Sequence, residues 1–218
     1  MHKLNKTYQY YENINVALAN QLPENMEILD VGCGYGAIWE KLKNKNNHTV
    51  GLDSSEAPLK VAKDRMNEVY LANITDLNEV KKVLQDRKFD FIILADILEH
   101  VYDPFSTLSI YKPYLKPNGK FLISIPNIAV WYFRLSILFG RFNYSDSGIL
   151  DRTHIRFFTL DSFRKLLNAA NLKIIKEDFN PGIFTAFVPI IRFLNEKKSK
   201  DQPIDPKSIY ESNLNKTY

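Results

Sequence analysis

The stretch Ile28-Leu29-Asp30-Val31-Gly32-Cys33-Gly34-Tyr35-Gly36 decides how the rest of this 218-residue chain is read. A short apolar run carrying one acid gives way to glycines at alternate positions. Ala37-Ile38-Trp39-Glu40-Lys41-Leu42 then reads as the opening of a helix. Strand, tight turn and helix in that order predict the first unit of a nucleotide-binding α/β sheet. Glycine suits the turn because the backbone reverses sharply, often at positive φ, and lets a ligand lie against it. The helix behind it aims unpaired N–H groups at that ligand.

Reading outward, Thr49-Val50-Gly51-Leu52 predicts a second strand ending at Asp53, 21 residues beyond Gly32. At that spacing an acid accepts hydrogen bonds from both ribose hydroxyls. Capping the next helix is the competing role for Asp53, but Ser54 and Ser55 are available for it. A helix over 56–66 leads to a third strand around Val69–Ala72. Asn73 and Ile74 then suit the edge and face of a purine. A helix over 76–87 precedes Phe89–Ala95, an apolar run that predicts a strand buried on both faces. It ends in Asp96-Ile97-Leu98-Glu99-His100-Val101-Tyr102-Asp103-Pro104, where acids and a histidine directly follow a central strand, the position at which open α/β sheets hold their ligands. A helix over 105–115, a turn at Lys116–Gly119 and a fifth strand over 120–125 complete the regular alternation.

The alternation then stops. Residues 126–158 read as an aromatic lid or insert, with a mostly apolar segment over 128–139 whose only charge is Arg134. Thr159 caps a helix over 160–170, a sixth strand follows at 171–175, and Phe184–Val188 reads as a seventh ended by Pro189. Ile14, Ala17, Leu18 and Leu22 fall at helical spacing, so residues 1–25 are expected to form a helical cap. Tyr8, Tyr10 and Tyr11 precede it, with packing the expected role. Residues 26–192 then make the main domain and 193–218 a polar tail.

Composition narrows the class. A chain 45% hydrophobic and 25% charged is expected to be a soluble globular protein. Cys33, the single cysteine, allows no internal disulfide and reads as a small space-filling residue rather than a reactive thiol. A net charge of +4 with no dense basic block argues against a nucleic-acid partner. No apolar run follows Met1–Lys6 as in a signal peptide, and none reaches the ~20 residues of a membrane span. The expectation is a cytoplasmic protein.

Glycine spacing alone leaves the ligand open, because Gly32-x-Gly34-x-x-Ala37 also satisfies a dinucleotide fingerprint. Charge favours another ligand: Asp30 would repel a pyrophosphate, whereas S-adenosylmethionine brings an ammonium and a sulfonium. Ile28–Gly36 resembles motif I of the class I S-adenosylmethionine-dependent methyltransferases. Asp53, Asn73-Ile74, the Phe89–Asp103 stretch and Leu115-Lys116-Pro117-Asn118-Gly119-Lys120 match that family's later motifs in order, over roughly residues 26–178. Within the class, Ile97–Pro104 together with Asp151-x-x-His154-x-x-Phe157-Phe158-Thr159 is similar to two types. One is the quinone-biosynthesis O-methyltransferases, the other the methyltransferases of bacterial surface-polysaccharide genes.

The resemblance implies an α/β, Rossmann-like three-layer sandwich with a seven-stranded, mostly parallel sheet and an antiparallel last strand. It implies S-adenosyl-L-methionine as cofactor and S-adenosyl-L-homocysteine as product. Asp30, Gly32 and Gly34 would face the methionine end, Asp53 would hold the ribose and Asn73-Ile74 flank adenine, with Gly36, Ser54 and Ala95 also in the cofactor site. Many relatives carry an acid where this chain has Asn73, and an amide oxygen can accept the same hydrogen bond.

The methyl donor arrives activated, so the protein has to orient the acceptor and, for a hydroxyl, take its proton. His100 and His154 are the candidate bases; His2 and His48 fall outside the expected site. Two other roles stay open. Asp96, Glu99, His100 and His154 form a set similar to the metal site of small-RNA 2′-O-methyltransferases, although two imidazoles suit Mn²⁺, Zn²⁺ or Fe²⁺ better than Mg²⁺. Alternatively, Glu99 and His100 cap the next helix and His154 bonds to Asp151. The acceptor is expected to be a small hydroxylated molecule, a sugar or a quinone-like phenol. A catalytically silent cofactor-binding module is the competing reading. The 128–139 segment is expected to pack on the domain as a lid or to form a homodimer surface, with shallow membrane contact as the next choice.

Overall fold

A computed structural model describes residues 16–180 and 188–194. The elements are α1 (Val16–Ala19), β1 (Glu27–Val31), α2 (Ala37–Glu40), β2 (His48–Asp53), α3 (Glu56–Ala62), β3 (Glu68–Leu71), α4 (Leu77–Leu84), β4 (Phe89–Ala95), α5 (Pro104–Tyr111), β5 (Leu115–Ser124), α6 (Trp131–Leu138), α7 (Leu160–Ala169), β6 (Lys173–Asn180) and β7 (Val188–Leu194). β1 to β5 pair in parallel in the order β3-β2-β1-β4-β5. β7 then pairs antiparallel with β5, and β6 antiparallel with β7. The order reverses beside β1, which opens a crevice beyond the carboxyl ends of β1 and β4.

Alternating side chains build two cores, one on each face of the sheet. Leu29 and Val31 of β1 pack with Val80, Leu84, Leu108, Tyr111, Phe163 and Leu167 from α4, α5 and α7. Ile28 faces the other way, with Leu18, Trp39 and Ala62 from α1, α2 and α3. These three layers are the Rossmann-like α/β architecture expected from the sequence. In β4 the alternation slips: Phe89 joins the first core and Phe91 the second, although two residues apart they should share a face. A register irregularity between them supplies the flip.

The structure revises several expected boundaries. Lys116–Gly119 does bow outward, but inside β5: Leu115 pairs with Phe89 and Lys120 with Phe91, so the extra residues arch between paired ends. Pro189 lies within β7 rather than ending it. It sits one residue past the stretch paired with β5, where only β6 lies alongside. Residues 184–187, the tyrosines at 8, 10 and 11, Ile14 and the chain from 195 onward lie outside the described residues, and β7 runs to Leu194, just into the stretch read as tail. Thr159 caps α7 as expected, in a reciprocal box with Ser162.

α6 lies outside both cores. None of its residues is buried. It is tethered through Tyr132 and Phe133 to a small satellite cluster of Val130 and Ile149, apart from both cores.

Candidate active site

The glycine turn follows β1 directly, with φ of +73° at Gly32, +53° at Gly34 and +65° at Gly36. A side chain at Gly32 would begin 2.1 Å from Ile97 Cδ1 and 4.0 Å from Ile74 Cδ1. Bare backbone there is therefore enclosed by two apolar side chains from the loops after β4 and β3. Gly32 N–H and Cys33 N–H both donate to the Leu52 carbonyl, at 2.7 and 3.0 Å. Gly34 N–H donates to Asp53 Oδ2 at 2.9 Å, and Ser55 N–H to Asp53 Oδ1 at 2.8 Å. The structure thus brings the turn and the end of β2 together as the spacing predicts. Ser54 is exposed beside Asp53; Ser55 is the N-cap of α3 and makes no side-chain cap bond, so neither serine takes the capping role offered to it.

Asp30 is 4% exposed, and its Oδ2 accepts a hydrogen bond from the Trp39 indole N–H at 2.8 Å. Burial pushes its carboxyl up to about 7; the Trp39 bond opposes the rise and the Asp53 charge adds to it. Trp39, read from sequence only as the opening of a helix, is the partner that was missed. A tryptophan so close to a strand-borne acid was the available signal, since a buried indole N–H needs an acceptor. Cys33 is half-buried with its Sγ 2.7 Å from where a side chain on Gly51 would begin. Burial, then the Asp30 and Asp53 carboxylates, hold its thiol far above its ordinary pKa, consistent with a filler.

Past β3, Asn73 is exposed and its Oδ1 accepts from both Thr75 N–H (3.1 Å) and Thr75 Oγ1 (2.8 Å). This turn engages the amide oxygen offered to adenine and leaves the amide N–H groups as the outward donors. The Ile74 carbonyl is held by the Tyr111 hydroxyl at 2.7 Å, which fixes the loop. Ala95 is half-buried at the end of β4, against the second core.

The ionisable stretch after β4 begins with Asp96 at φ +53°, a conformation that non-glycine residues seldom adopt. Its Oδ1 accepts from Ser124 Oγ at 3.1 Å. Asp103 caps α5 by accepting from Ser106 N–H at 3.0 Å, so the helix-capping role considered for Glu99 and His100 is taken. Glu99 is 1% exposed, and neither of its carboxylate oxygens has a hydrogen-bond partner among the described residues. Burial, with the charge of Asp96 adding, holds its carboxyl well above the usual range.

The Glu99 carbonyl accepts from Ile155 N–H (2.9 Å) and Arg156 N–H (3.0 Å), clamping the 151–156 segment onto this loop. That clamp sets His100 and His154 edge to face, their ring centres 4.7 Å apart. His154 is buried and its Nδ1 lies 2.9 Å from the Ile149 carbonyl; a proton there leaves Nε2 as the acceptor. Asp151 instead takes Thr153 N–H and Oγ1, so its carboxylate is not the His154 partner. His100 is exposed, with Nδ1 3.1 Å from Thr153 Oγ1 and 3.2 Å from the Thr153 carbonyl. Burial around the ring, then His154, lowers its pKa. Ligand atoms of Glu99, His100 and His154 all lie within 4.8 Å of one another, and Asp96 is outside that cluster.

The chain is similar to known proteins in sequence and in fold. The sequence profile of a family described as a methyltransferase domain matches residues 2–177. The chain is 34% identical over 134 residues to the ubiquinone biosynthesis O-methyltransferase of Histophilus somni (strain 2336), covering 58% of this chain and 54% of that protein. It is 29% identical over 164 residues to the protein of the same name from Dinoroseobacter shibae (strain DSM 16493 / NCIMB 14021 / DFL 12), covering 72% and 65%. This chain thus spans about half to two thirds of the length of these two relatives. Among solved structures, a SAM-dependent methyltransferase from Methanosarcina mazei superposes with a TM-score of 0.63 at 19% identity, over 84% of this chain and 98% of that one. The Burkholderia thailandensis 1,6-didemethyltoxoflavin-N1-methyltransferase, solved with S-adenosylhomocysteine, gives 0.59 at 18% identity over 82% and 75%.

Proposed function

This chain belongs to the methyltransferase domain family, and we propose that it moves a methyl group from S-adenosylmethionine to a hydroxyl of a small acceptor, a quinone-like phenol or a sugar. The fold is that of the S-adenosylmethionine-dependent enzymes. The seven-stranded family sheet with its last strand reversed belongs to this reading. The cradle fits the cofactor: Gly32 presents backbone where any side chain would strike Ile97, and Asp53 lies against the turn. When bound, the cofactor supplies an electrophilic methyl carbon and a neutral thioether leaving group.

The residues have separable tasks. Asp53, with Ser54 beside it, meets the ribose hydroxyls; Asp30, steadied by Trp39, faces the ammonium; Ile74 and Ile97 wall the adenosine side, and the Asn73 amide donates toward the purine. The observation that carries the chemistry is the His100–His154 pair, held beyond the end of β4. His100, the exposed member, takes the acceptor's hydroxyl proton on a ring nitrogen as the oxygen attacks the methyl carbon, and His154 backs it. The O-methyltransferase names of the relatives favour oxygen as the methylated atom. Turnover to S-adenosylhomocysteine with catechols and sugar nucleotides tests this reading, and binding without turnover on any acceptor would favour a silent cofactor-binding module.

One observation favours a second reading. A buried carboxylate without hydrogen-bond partners among the described residues, beside two imidazoles at ligand spacing, suits a divalent cation such as Zn²⁺, Mn²⁺ or Fe²⁺ that would hold the acceptor oxygen. Activity lost to a chelator and restored by one of these ions would select it.

A further inference from the structure

Asp30 is an acid set inside a sheet. It belongs to β1, two positions before Gly32, and its neighbours on the adjoining strands are the uncharged Gly51 and Ile93. It shares a face of β1 with Ile28, which packs with Leu18, Trp39 and Ala62. The residue is 4% exposed, and among the described residues its carboxyl makes one hydrogen bond, with the neutral Trp39 indole. No described cation pairs with it: Glu40, the charged residue of α2, holds Lys43 and Arg65 instead. Two titratable groups act on it, the Asp53 carboxylate from β2 and the Cys33 thiol of the turn, and neither brings positive charge. A carboxyl so enclosed, with a second acid nearby and one neutral donor, is better satisfied by a proton than by a charge.

We propose, resting on the cofactor reading above, that the ammonium group of the cofactor displaces a proton from Asp30, so that binding releases a proton and weakens in acid. In the empty site the carboxyl keeps its proton up to a pH of about 7. When the methionine end arrives, the carboxyl O–H bond breaks and the proton passes to solvent. The ammonium N–H groups then donate to the carboxylate in its place. Asp30 thus carries charge when a cation is present to offset its burial. The exchange also makes the site sensitive to the amino acid end of its ligand, because a nucleoside thioether without an ammonium gives Asp30 no partner for a charge.

The test is calorimetric titration of the full chain with S-adenosylhomocysteine at pH 6, in phosphate and in imidazole buffer, whose heats of ionisation differ. The expected result is release of about one proton at pH 6, falling toward zero by pH 8. Affinity should be weaker by roughly 10- to 20-fold at pH 5.5 than at pH 7. 5′-Methylthioadenosine, which keeps the nucleoside and lacks the ammonium, should bind without releasing a proton. Asp30→Asn should bind S-adenosylhomocysteine more weakly than wild type at pH 7, with equal heats in the two buffers. Binding by wild type with equal heats in both buffers at pH 6 would overturn the proton exchange and leave the cofactor reading standing. Proton release that persists in Asp30→Asn, or that 5′-methylthioadenosine also produces, would assign it to another group and overturn the exchange as well. No binding of either ligand by the folded protein would overturn the cofactor reading and the exchange with it.

Discussion

The Gly34 N–H donates to Asp53 Oδ2 at 2.9 Å, so the glycine turn and the acid proposed to meet the ribose form one unit. Asp53 is 3% exposed and holds two backbone N–H groups on separate oxygens. Asp53→Ala should therefore loosen the turn and delete the ribose contacts together. Charge-assisted hydrogen bonds are each worth about 1.5–3 kcal/mol, so affinity for S-adenosylhomocysteine should fall by about 10- to 100-fold or more. Isothermal titration measures this, and unchanged affinity would remove Asp53 from the site.

Gly32 tests the cradle from the other side. Alanine at φ +73° carries about 1–3 kcal/mol of backbone strain, and its side chain would begin 2.1 Å from Ile97 Cδ1. Gly32→Ala should lose cofactor binding and cost about 2–4 kcal/mol in denaturant unfolding. Ile97→Ala made in the same chain relieves the overlap but not the strain. The double variant should therefore be less destabilised than the two single losses summed.

Asp30 gives stability a pH dependence whose sign is fixed by burial. Its carboxyl titrates at about 7 when folded and near 3.9 when unfolded. Between those values the folded protein keeps a proton that the unfolded chain has released. Its contribution therefore falls as pH rises from about 4 to about 7, by up to ~4 kcal/mol, and is flat above. Asp30→Asn keeps an acceptor for Trp39 and removes the titration. It should gain stability over the wild type between pH 4.5 and 8 while binding S-adenosylmethionine more weakly; parallel stability curves for the two proteins would contradict this.

The glycine turn and its approach to Asp53 were legible because they are local. Glycines at positive φ admit few substitutes, and the interval from Gly32 to Asp53 is one strand-helix-strand unit. The Asp30–Trp39 bond was only half legible: the nearby indole signals a need for an acceptor, but which acceptor it finds depends on how the four-residue helix α2 sits on β1. His100 and His154 were both named, yet their contact follows from the Glu99 carbonyl capturing Ile155 and Arg156, which no pattern announces. Which side of α6 faces the domain was not legible, because a helix apolar on nearly every side has no periodicity to say which side faces in. The turn residues at Lys116–Gly119 were read correctly as chemistry and misplaced as topology, since a strand can carry such an arch between paired ends.

The central claim is that His100 takes the proton of an acceptor hydroxyl while S-adenosylmethionine lies in the glycine cradle. The direct measurement is S-adenosylhomocysteine formation by wild type, His100→Ala and His154→Ala on catechol and sugar acceptors, with cofactor binding recorded in parallel. The account predicts turnover by wild type on at least one hydroxyl acceptor. It also predicts a loss of about 10²- to 10⁴-fold in His100→Ala with cofactor affinity retained. Undiminished turnover in both histidine variants would contradict it.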